Sequence, residues 1–351
     1  MPDLRGLAQR LRALDASALH VVTLPDFFLD HFVPLPAWQD VLPRWQGVHG
    51  RGGGNVPTPA QHFQPGGNAA NTALALARLG VQAHLVTRTS PFGKAYLQQT
   101  LGTMGVDMRY VRPDGELSVT TALEFHEARP ANVMLSDPGS VAHFGPDSLE
   151  QNDWTLIEAA DLVLLANWSQ NRRGTELVRE VARVARRANT TTMLDTGDPS
   201  ARMGDIEGLL AEVVPLADLD VYALNENELR LLAGRALAVG EEEVAAARAL
   251  ASRRPAGTLD LHTARFAASF GPDGEAVVPT FRVEPLRVTG AGDSWNAGSI
   301  LGHLAGLGPA DRLLLANAVA GLYISGKEGV PPTMGDVCAF LDAAPATNQP
   351  S

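Results

Sequence analysis

Residues 161–195 read DLVLLANWSQNRRGTELVREVARVARRANTTTMLD, and this stretch combines two strand patterns with a helix pattern between them. Residues 161–166 and 191–195 are short apolar runs of strand length, whereas residues 173–188 repeat apolar positions at helical spacing. The order strand, helix, strand is typical of parallel strands joined by a crossover helix. This stretch therefore predicts an α/β fold with a parallel sheet.

The same alternation continues along most of the 351 residues. Further strands are predicted at residues 18–24, 83–87 and 218–224. Further helices are predicted at residues 68–80, 94–105, 226–234 and 241–253, from near Gly292, and from about Ala310 to Ser325. We expect one domain, residues 1–351, with a central, mostly parallel sheet between helices.

Two early stretches, residues 31–66 and residues 107–135, interrupt the alternation. The first is rich in Pro, Gly and Trp, and the second contains SVTTALEFHE and NVMLS, which are typical of strands. Neither pattern includes a helix between strands. We expect a small β-sheet that acts as a lid, because long segments of this kind in compact domains tend to be functional. The alternative is an antiparallel edge of the main sheet.

The composition excludes several functions. The chain has 28 Lys and Arg against 39 Asp and Glu, a net charge of -11, and no basic patch of the kind that nucleic-acid binding requires. No apolar run reaches the roughly 18 residues of a membrane span. The single cysteine, Cys338, lies in a helical pattern and is expected to pack in the core. We therefore expect a cytoplasmic protein that binds neither nucleic acid nor membrane.

The segment Thr289-Gly290-Ala291-Gly292-Asp293 places small residues before a predicted helix. Such residues allow a tight turn, and the free N–H groups of the following helix end form an anion site. A phosphoryl group in transfer carries the charge that this site would bind. Asp293 is placed to accept a proton from an attacking hydroxyl. The alternative is a carboxylate that merely stabilises the helix.

Three further motifs are candidate ligand sites. Gly66-Gly67-Asn68 precedes a helix and offers backbone and amide groups to a hydroxyl-rich ligand, unless Asn68 is only a helix cap. Asn225 and Glu228 are three residues apart and suit Mg²⁺ through waters, or else form a capping box. Asp26 and Asp30 follow the first strand, where α/β sheets bind ligands, or are solvated loop acids.

Other common signatures are missing. No G-x-x-x-x-G-K-S/T sequence occurs, which excludes a P-loop enzyme, and no G-x-G-x-x-G follows the first strand, which counts against a dinucleotide-binding domain. No H-E-x-x-H occurs either.

In their order along the chain, these motifs resemble those of the ribokinase-like carbohydrate kinases, the PfkB family. GGNAANTALALARLG (66–80) is similar to the N-terminal signature of that family, and TGAGDSWNAG (289–298) to its specific C-terminal signature. NENE (225–228) resembles its Asn-x-x-Glu motif, TLPDFFLD (23–30) its first-strand aspartates, and ANAVAGLYISGKEG (316–329) its last helix.

The resemblance implies a ribokinase-like three-layer α/β/α domain with a small β lid. It implies an ATP-dependent kinase that phosphorylates a hydroxyl of a sugar or sugar-like molecule. The implied roles are a general base (Asp293), an anion hole (Gly290, Ala291, Gly292), a sugar site (Asp26, Asp30, Gly66, Gly67, Asn68), a nucleotide site (Asn225, Thr263, Asn317) and an Mg²⁺ site (Asn225, Glu228).

The sequence departs from the family pattern at two places. The C-terminal signature usually begins Asp-Thr-Thr-Gly, and here Arg287 and Val288 take the first two positions. The missing acid counts against activation by a monovalent cation. The usual Thr-x-Gly nucleotide strand is replaced by LDLHTARFAAS (259–269), so we expect His262, Thr263 and Arg265 to reshape the nucleotide pocket.

Two other functions stay open at this point. A nucleoside kinase of the same family would use the same motifs with an aromatic acceptor pocket. Trp38, Trp45, Phe63 and Trp168 are candidates for it, although packing in the core or the lid is favoured for each. A non-catalytic sugar-binding regulator on the same fold is the second. The resemblance also implies a possible homodimer through the lid.

Overall fold

The computed structural model of the chain describes residues 2–126 and 131–348. Its strands are β1 (His20–Leu24), β2 (Phe28–Leu35), β3 (His62–Gly66), β4 (Gln82–Leu85), β5 (Thr87–Arg88), β6 (Val111–Arg112), β7 (Val119–Phe125), β8 (Ala131–Asp137), β9 (Leu162–Ala166), β10 (Thr191–Asp195), β11 (Val221–Asn225), β12 (Thr258–His262), β13 (Phe266–Gly271) and β14 (Gly274–Pro279). Its α-helices are α1 (Leu4–Ala13), α2 (Trp38–Gly50), α3 (Asn68–Arg78), α4 (Pro91–Thr100), α5 (Gln151–Ala159), α6 (Gly174–Ala188), α7 (Ile206–Gly208), α8 (Glu226–Ala233), α9 (Glu241–Ala251), α10 (Ala291–Leu304), α11 (Pro309–Ser325) and α12 (Met334–Asp342).

The large sheet has the strand order β14-β13-β12-β11-β10-β9-β1-β4. Its neighbouring strands from β4 across to β12 pair in parallel, and β13 and β14 add an antiparallel edge. The predicted mostly parallel central sheet is therefore confirmed.

Helices cover both faces of this sheet because its strands bury successive side chains in two different cores. In β1, Val21 packs into the core formed with α3, α10 and α11, whereas Val22 packs into the core formed with α6, α8 and α9. Successive side chains of a strand point to opposite faces, so an apolar run fills both. The result is the predicted three-layer α/β/α arrangement.

A second sheet, with the order β3-β2-β7-β8, is separate from the large one, and we call it the small sheet. The alternative of an antiparallel edge of the main sheet is therefore wrong. The small sheet uses parts of both predicted stretches, 31–66 and 107–135. Val111 and Arg112 of the second stretch instead pair with β5, and residues 127–130 lie outside the described residues.

Helix α2 corrects the sequence analysis, which expected no helix between the strands of this region. It packs against one end of the small sheet, where Val41 and Trp45 meet Leu35, Leu123 and Phe125. This burial compensates for Pro43 inside the helix and for the weak helical pattern, since tertiary packing supplies most helix stability.

Within the described ranges, no helix combines the length and apolar composition that a bilayer crossing needs. Cys338 is a buried free thiol in α12, as expected for a packing residue.

Candidate active site

A cleft of about 480 Å³ opens where the parallel strands of the large sheet end. Asn167, Asp195, Asn225 and His262 lie at the ends of β9, β10, β11 and β12, and all four line this cleft. The carboxyl ends of parallel strands are where open α/β sheets bind ligands. The strand order of the large sheet therefore concentrates polar groups at one place.

The opposite wall of the cleft is a row of polar side chains across the small sheet. Asp30 pairs with Thr120, Thr120 pairs with Ser136, and all three line the cleft. Side chains of directly paired residues point to the same face of a sheet. The hydroxyls of Thr120 and Ser136 are 3.2 Å apart. This row offers donors and acceptors to a ligand that carries several hydroxyls.

Asp30 is the charged member of this row. Burial, and then the nearby charge of Asp26, raise the pKa of Asp30 to about 7. Gly66 lies against the carboxylate, and a Cβ at that position would overlap Oδ2 of Asp30. Among the described residues, the carboxylate has no hydrogen-bond donor, so its oxygens are available to a ligand.

Asp26 has a different place from the one predicted. It is fully buried and does not line the cleft. Its carboxylate accepts hydrogen bonds of 2.8 Å from the backbone N–H groups of Asn68 and Ala69 and from the Asn167 side chain. It therefore anchors the start of α3, where Gly67 has a φ of 95°, and presents Gly67 and Asn68 to the cleft.

The N-terminus of α10 also faces the cleft. Gly290 has a left-handed φ of 83°, which starts the helix sharply. The N–H of Ala291 donates to the Val288 carbonyl at 3.1 Å, so it is used within the turn. The N–H groups of Gly292 and Asp293 have no acceptor among the described residues. With the helix dipole they make up the predicted anion site.

Asp293 sits in the first turn of α10 and lines the cleft. Burial, and then the charge of Asp195, raise the pKa of Asp293 well above its usual value, with smaller contributions from Asp26 and Asp30. The side-chain amide of Asn71 donates to Asp293 and lowers that pKa in part. The carboxylate is therefore adjacent to the anion site and has a strong affinity for a proton.

Asn225 and Glu228 form the capping box that the sequence left as an alternative. Asn225 Oδ1 accepts from the N–H of Glu228 at 3.0 Å, and Glu228 Oε2 accepts from the N–H of Asn225 at 3.0 Å. Burial, and then the charge of Asp195, raise the pKa of Glu228 well above its usual value. Across the described residues, no three His, Cys, Asp or Glu groups are placed together to hold a metal. A metal role for this pair stays a prediction.

A second cavity, of about 440 Å³, lies on the other side of the start of α10. It shares Asn225, His262 and Gly292 with the cleft. Thr263 and Asn317, for which a nucleotide-binding role stays a prediction, also line it. Asn317 is held in place, since its Oδ1 accepts from the Trp295 indole at 2.9 Å. His262 stacks on Trp295 with ring centroids 4.8 Å apart.

Comparison with known proteins identifies the family. Residues 44–333 match the model of the pfkB family carbohydrate kinases. The chain belongs to the PfkB family of carbohydrate kinases. It is 30% identical over 301 residues to the ATP-dependent ribose-1-phosphate kinase of Halopiger xanaduensis, which covers 82% of this chain and 90% of that one. This PfkB chain is therefore an enzyme of the carbohydrate-kinase family, as the sequence motifs predicted.

Solved structures show the same fold. An Arabidopsis thaliana ribokinase complexed with ribose and ATP aligns with a TM-score of 0.73 at 20% identity, covering 92% of this chain and 98% of that one. The adenosine kinase of Sinorhizobium meliloti aligns with a TM-score of 0.70 at 16% identity, covering 93% and 98%. The predicted ribokinase-like fold is confirmed.

Sequence reasoning missed several residues that line the cleft of this PfkB enzyme. Asp195 is the last residue of one predicted strand, and Asn167 directly follows another. A polar residue at a strand end is the same signal that selected Asp26. Asn71 lies three residues after Asn68 and therefore shares its helix face. A consistent search of strand ends and of the α3 face would have found all three.

The four aromatic candidates for an acceptor pocket pack in the core or on the small sheet, as the sequence analysis favoured for each. None of the four lines the cleft. Trp38 packs edge-on against Trp45 and Phe125 within the small sheet and α2, and Phe63 stacks on His31. Trp168 is buried beneath the guanidinium of Arg202. The aromatic side chain that does line the cleft is Phe28.

Proposed function

We propose that this PfkB-family enzyme transfers the terminal phosphoryl group of ATP to a hydroxyl of a sugar or sugar-like molecule. The observation that carries this proposal is the placement of Asp293 beside the free N–H groups of Gly292 and Asp293, in a cleft that adjoins a second cavity. A proton acceptor and an anion site are thus in the same helical turn.

The acceptor molecule binds between the two sheets in this proposal. The polar row of the small sheet and Asn68 form hydrogen bonds to its hydroxyls. Asp30 accepts from two of them, and Asp26 keeps the Gly67-Asn68 turn in position without touching the acceptor. Binding several hydroxyls fixes the orientation of the one that reacts.

The chemical step is an in-line displacement. The acceptor oxygen attacks the terminal phosphorus, the bond from that phosphorus to the bridging oxygen breaks, and ADP leaves with the bonding electrons. The proton of the hydroxyl passes to the Asp293 carboxylate, whose raised pKa favours that transfer. The N–H groups of Gly292 and Asp293 stabilise the charge on the phosphoryl oxygens.

Mg²⁺ bound with the nucleotide would neutralise charge on the phosphates. The cleft fits such an ion when it is held through water, since Asp195 and Glu228 both line it and Mg²⁺ usually keeps several waters. We propose no monovalent cation, because Arg287 replaces the acid of the family signature.

The second cavity is the proposed nucleotide site. Trp295, Phe281 and Val283 give it an apolar wall suited to a base, and it reaches the N-terminus of α10 through Ala291 and Gly292. The donor phosphates would then point through that helix end into the cleft.

A nucleoside acceptor is the second candidate function. A third cavity, of about 790 Å³, adjoins the cleft, because Asp30, Asn71, Thr289 and Gly290 line both. This space would accommodate a ring attached to the sugar. A non-catalytic regulator is less consistent with the site, since the base and the anion site are both present.

We also propose a homodimer formed through the small sheet. Phe63, Val133 and Leu135 are 55%, 46% and 56% exposed and lie on the face that points away from the cleft. Exposed apolar side chains grouped on one face favour association. Light scattering of the wild type and of Leu135→Glu would test this. A cytoplasmic location remains a prediction.

The function is tested by measuring ADP release from ATP with separate panels of sugars and nucleosides, with product phosphorylation followed by mass spectrometry. We expect turnover with at least one sugar and strict dependence on Mg²⁺. Turnover with nucleosides alone would favour the second candidate. ATP binding without turnover on any acceptor would favour the regulator.

A further inference from the structure

The charges around the three cavities are strongly unequal. Five carboxylates line the cleft, namely those of Asp30, Asp195, Asp198, Glu228 and Asp293, and no Lys or Arg among the described residues does. A nucleotide donor brings several further negative charges to this place. The N-terminus of one helix offsets only part of that charge. A fixed positive side chain near the donor phosphates would reduce the repulsion.

Arg287 is the one Lys or Arg side chain in the described residues that lines the second cavity, and it lines the third as well. It precedes Gly290, where the turn into α10 begins, by three residues. Both cavities flank the N-terminus of α10, because Ala291 and Gly292 line the second and Gly290 the third. Arg287 is therefore placed where a donor nucleotide would meet the anion site.

The surroundings hold the guanidinium in position without neutralising it. Nη2 of Arg287 donates to the Lys327 carbonyl at 2.8 Å, and the guanidinium lies 5.8 Å from the ring centroid of Tyr323. The Tyr323 hydroxyl in turn donates to the Thr289 carbonyl at 3.2 Å. Within residues 2–126 and 131–348, no carboxylate forms an ion pair with Arg287. Most of its five N–H donors therefore stay available.

We propose that Arg287 binds the phosphates of the nucleotide donor and supplies the fixed positive charge of the donor site. This inference rests on the proposed kinase function. A guanidinium is permanently charged and matches two phosphate oxygens at once, so it binds phosphate in a defined orientation. The family signature usually has an acid at this position, so this contact would be specific to chains that carry the substitution.

Arg78 provides a matched control. Its Nε donates to the Pro331 carbonyl at 3.1 Å, so it anchors the same segment, residues 326–331, that Arg287 contacts through Lys327. It lines none of the three cavities. Arg78→Ala therefore removes only a hydrogen bond that anchors that segment. Arg287→Ala removes such a hydrogen bond and, in addition, the positive charge beside the cavities. Arg287→Lys keeps the positive charge but loses the planar guanidinium, which can donate to two phosphate oxygens at once.

The experiment is calorimetric titration of ATP and of adenosine into the wild type and these three variants, together with the KM for ATP and for the acceptor. We expect Arg287→Ala to weaken ATP binding by about 10- to 100-fold, as for loss of a charged hydrogen bond, and to leave adenosine binding and the acceptor KM unchanged. Arg287→Lys should recover part of the loss, and added guanidinium ion should partly restore Arg287→Ala. Arg78→Ala should bind ATP as the wild type does.

Three results would overturn the inference. The first is unchanged ATP affinity in Arg287→Ala, and the second is a loss of adenosine affinity in that variant as large as its loss of ATP affinity. The third is the same selective loss of ATP affinity in Arg78→Ala, which would assign the effect to the segment 326–331. A wild type that binds no ATP would instead overturn the proposed function, and the two failures are therefore distinguishable.

Discussion

The side-chain amide of Asn71 donates a 2.8 Å hydrogen bond to Oδ2 of Asp293, and it joins two residues 222 positions apart. Helix α3 packs directly against α10, which brings the two side chains together. The bond orients the proposed base and stabilises its charged form against the effect of burial. The N-terminal signature thus contacts the proposed base in the C-terminal one.

Removal of this hydrogen bond should change the pH dependence of turnover. Asn71→Ala removes an interaction that lowers the pKa of Asp293, so that pKa should rise further. A protonated Asp293 accepts no proton, so the acid limb of kcat should move to higher pH. Thr72→Val is the control, because the Thr72 hydroxyl contacts the backbone carbonyl of Asp293 and not its carboxylate. An identical acid limb in the wild type and in Asn71→Ala would contradict this role.

Asp293→Asn should abolish most activity without loss of stability. Removal of a general base typically costs about 10²- to 10⁴-fold in rate. The pKa of Asp293 is raised in the folded protein, so its contribution to stability is full below the unfolded pKa and is lost as the pH rises through the folded value. Asparagine has no such loss, so the Tm at pH 7 should equal or exceed that of the wild type. Near-normal turnover would argue against the assignment of Asp293.

Asp30 should give the acceptor KM a pH dependence near neutrality. Its pKa of about 7 means that it is protonated below that pH and charged above it. The charged form accepts hydrogen bonds from hydroxyls more strongly, so the KM should fall as the pH rises through 7. Asp30→Asn should raise the KM and remove this step while the KM for ATP stays the same. If the change in acceptor KM near pH 7 persists in Asp30→Asn, another titrating group must cause it.

Gly66 should be intolerant of any side chain because Asp30 occupies the space. Gly66→Ala places a Cβ in the position of the Asp30 carboxylate, which must then move. We expect a higher acceptor KM and a smaller change in kcat. Gly47→Ala in α2 is the control, since its Cβ would meet no atom within 4 Å. Equal kinetics of Gly66→Ala and the wild type would show that Asp30 has no fixed role.

Glu228 can be tested separately as a helix cap and as a metal group. Glu228→Gln keeps an oxygen that accepts from the Asn225 N–H and removes the charge. It loses the hydrogen bond that Glu228 Oε1 accepts from the Asn225 side-chain amide. We expect a small change in Tm and a clear increase in the Mg²⁺ concentration that gives half-maximal activity. Asp336→Asn makes the same change in the capping box of Thr333, at the start of α12. Matching Mg²⁺ titrations of the two variants would leave Glu228 with a capping role alone.

Local sequence was sufficient for the strand, helix and strand of residues 161–195 and for the turn that carries the proposed base. The strand and helix patterns of residues 161–195 depend on periodicity within each segment, and the structure has them where they were predicted. Gly290 needs a left-handed φ, and Asn225 and Glu228 cap a helix through residues three apart. Each of these features is decided by neighbours in the chain.

Tertiary structure decided the contacts between distant segments and the direction of individual side chains. The sequence predicted the same ligand-binding role for Asp26 and Asp30, which both follow the first strand. In the structure, Asp26 accepts hydrogen bonds from the start of α3, whereas Asp30 lines the cleft. Helix α2 forms because it buries Val41 against the small sheet. Strand order decides that Asp195 lies near Asp293, and no local pattern encodes which strands become neighbours. Burial and strand pairing thus determine which of the candidate side chains in the sequence reach the cleft.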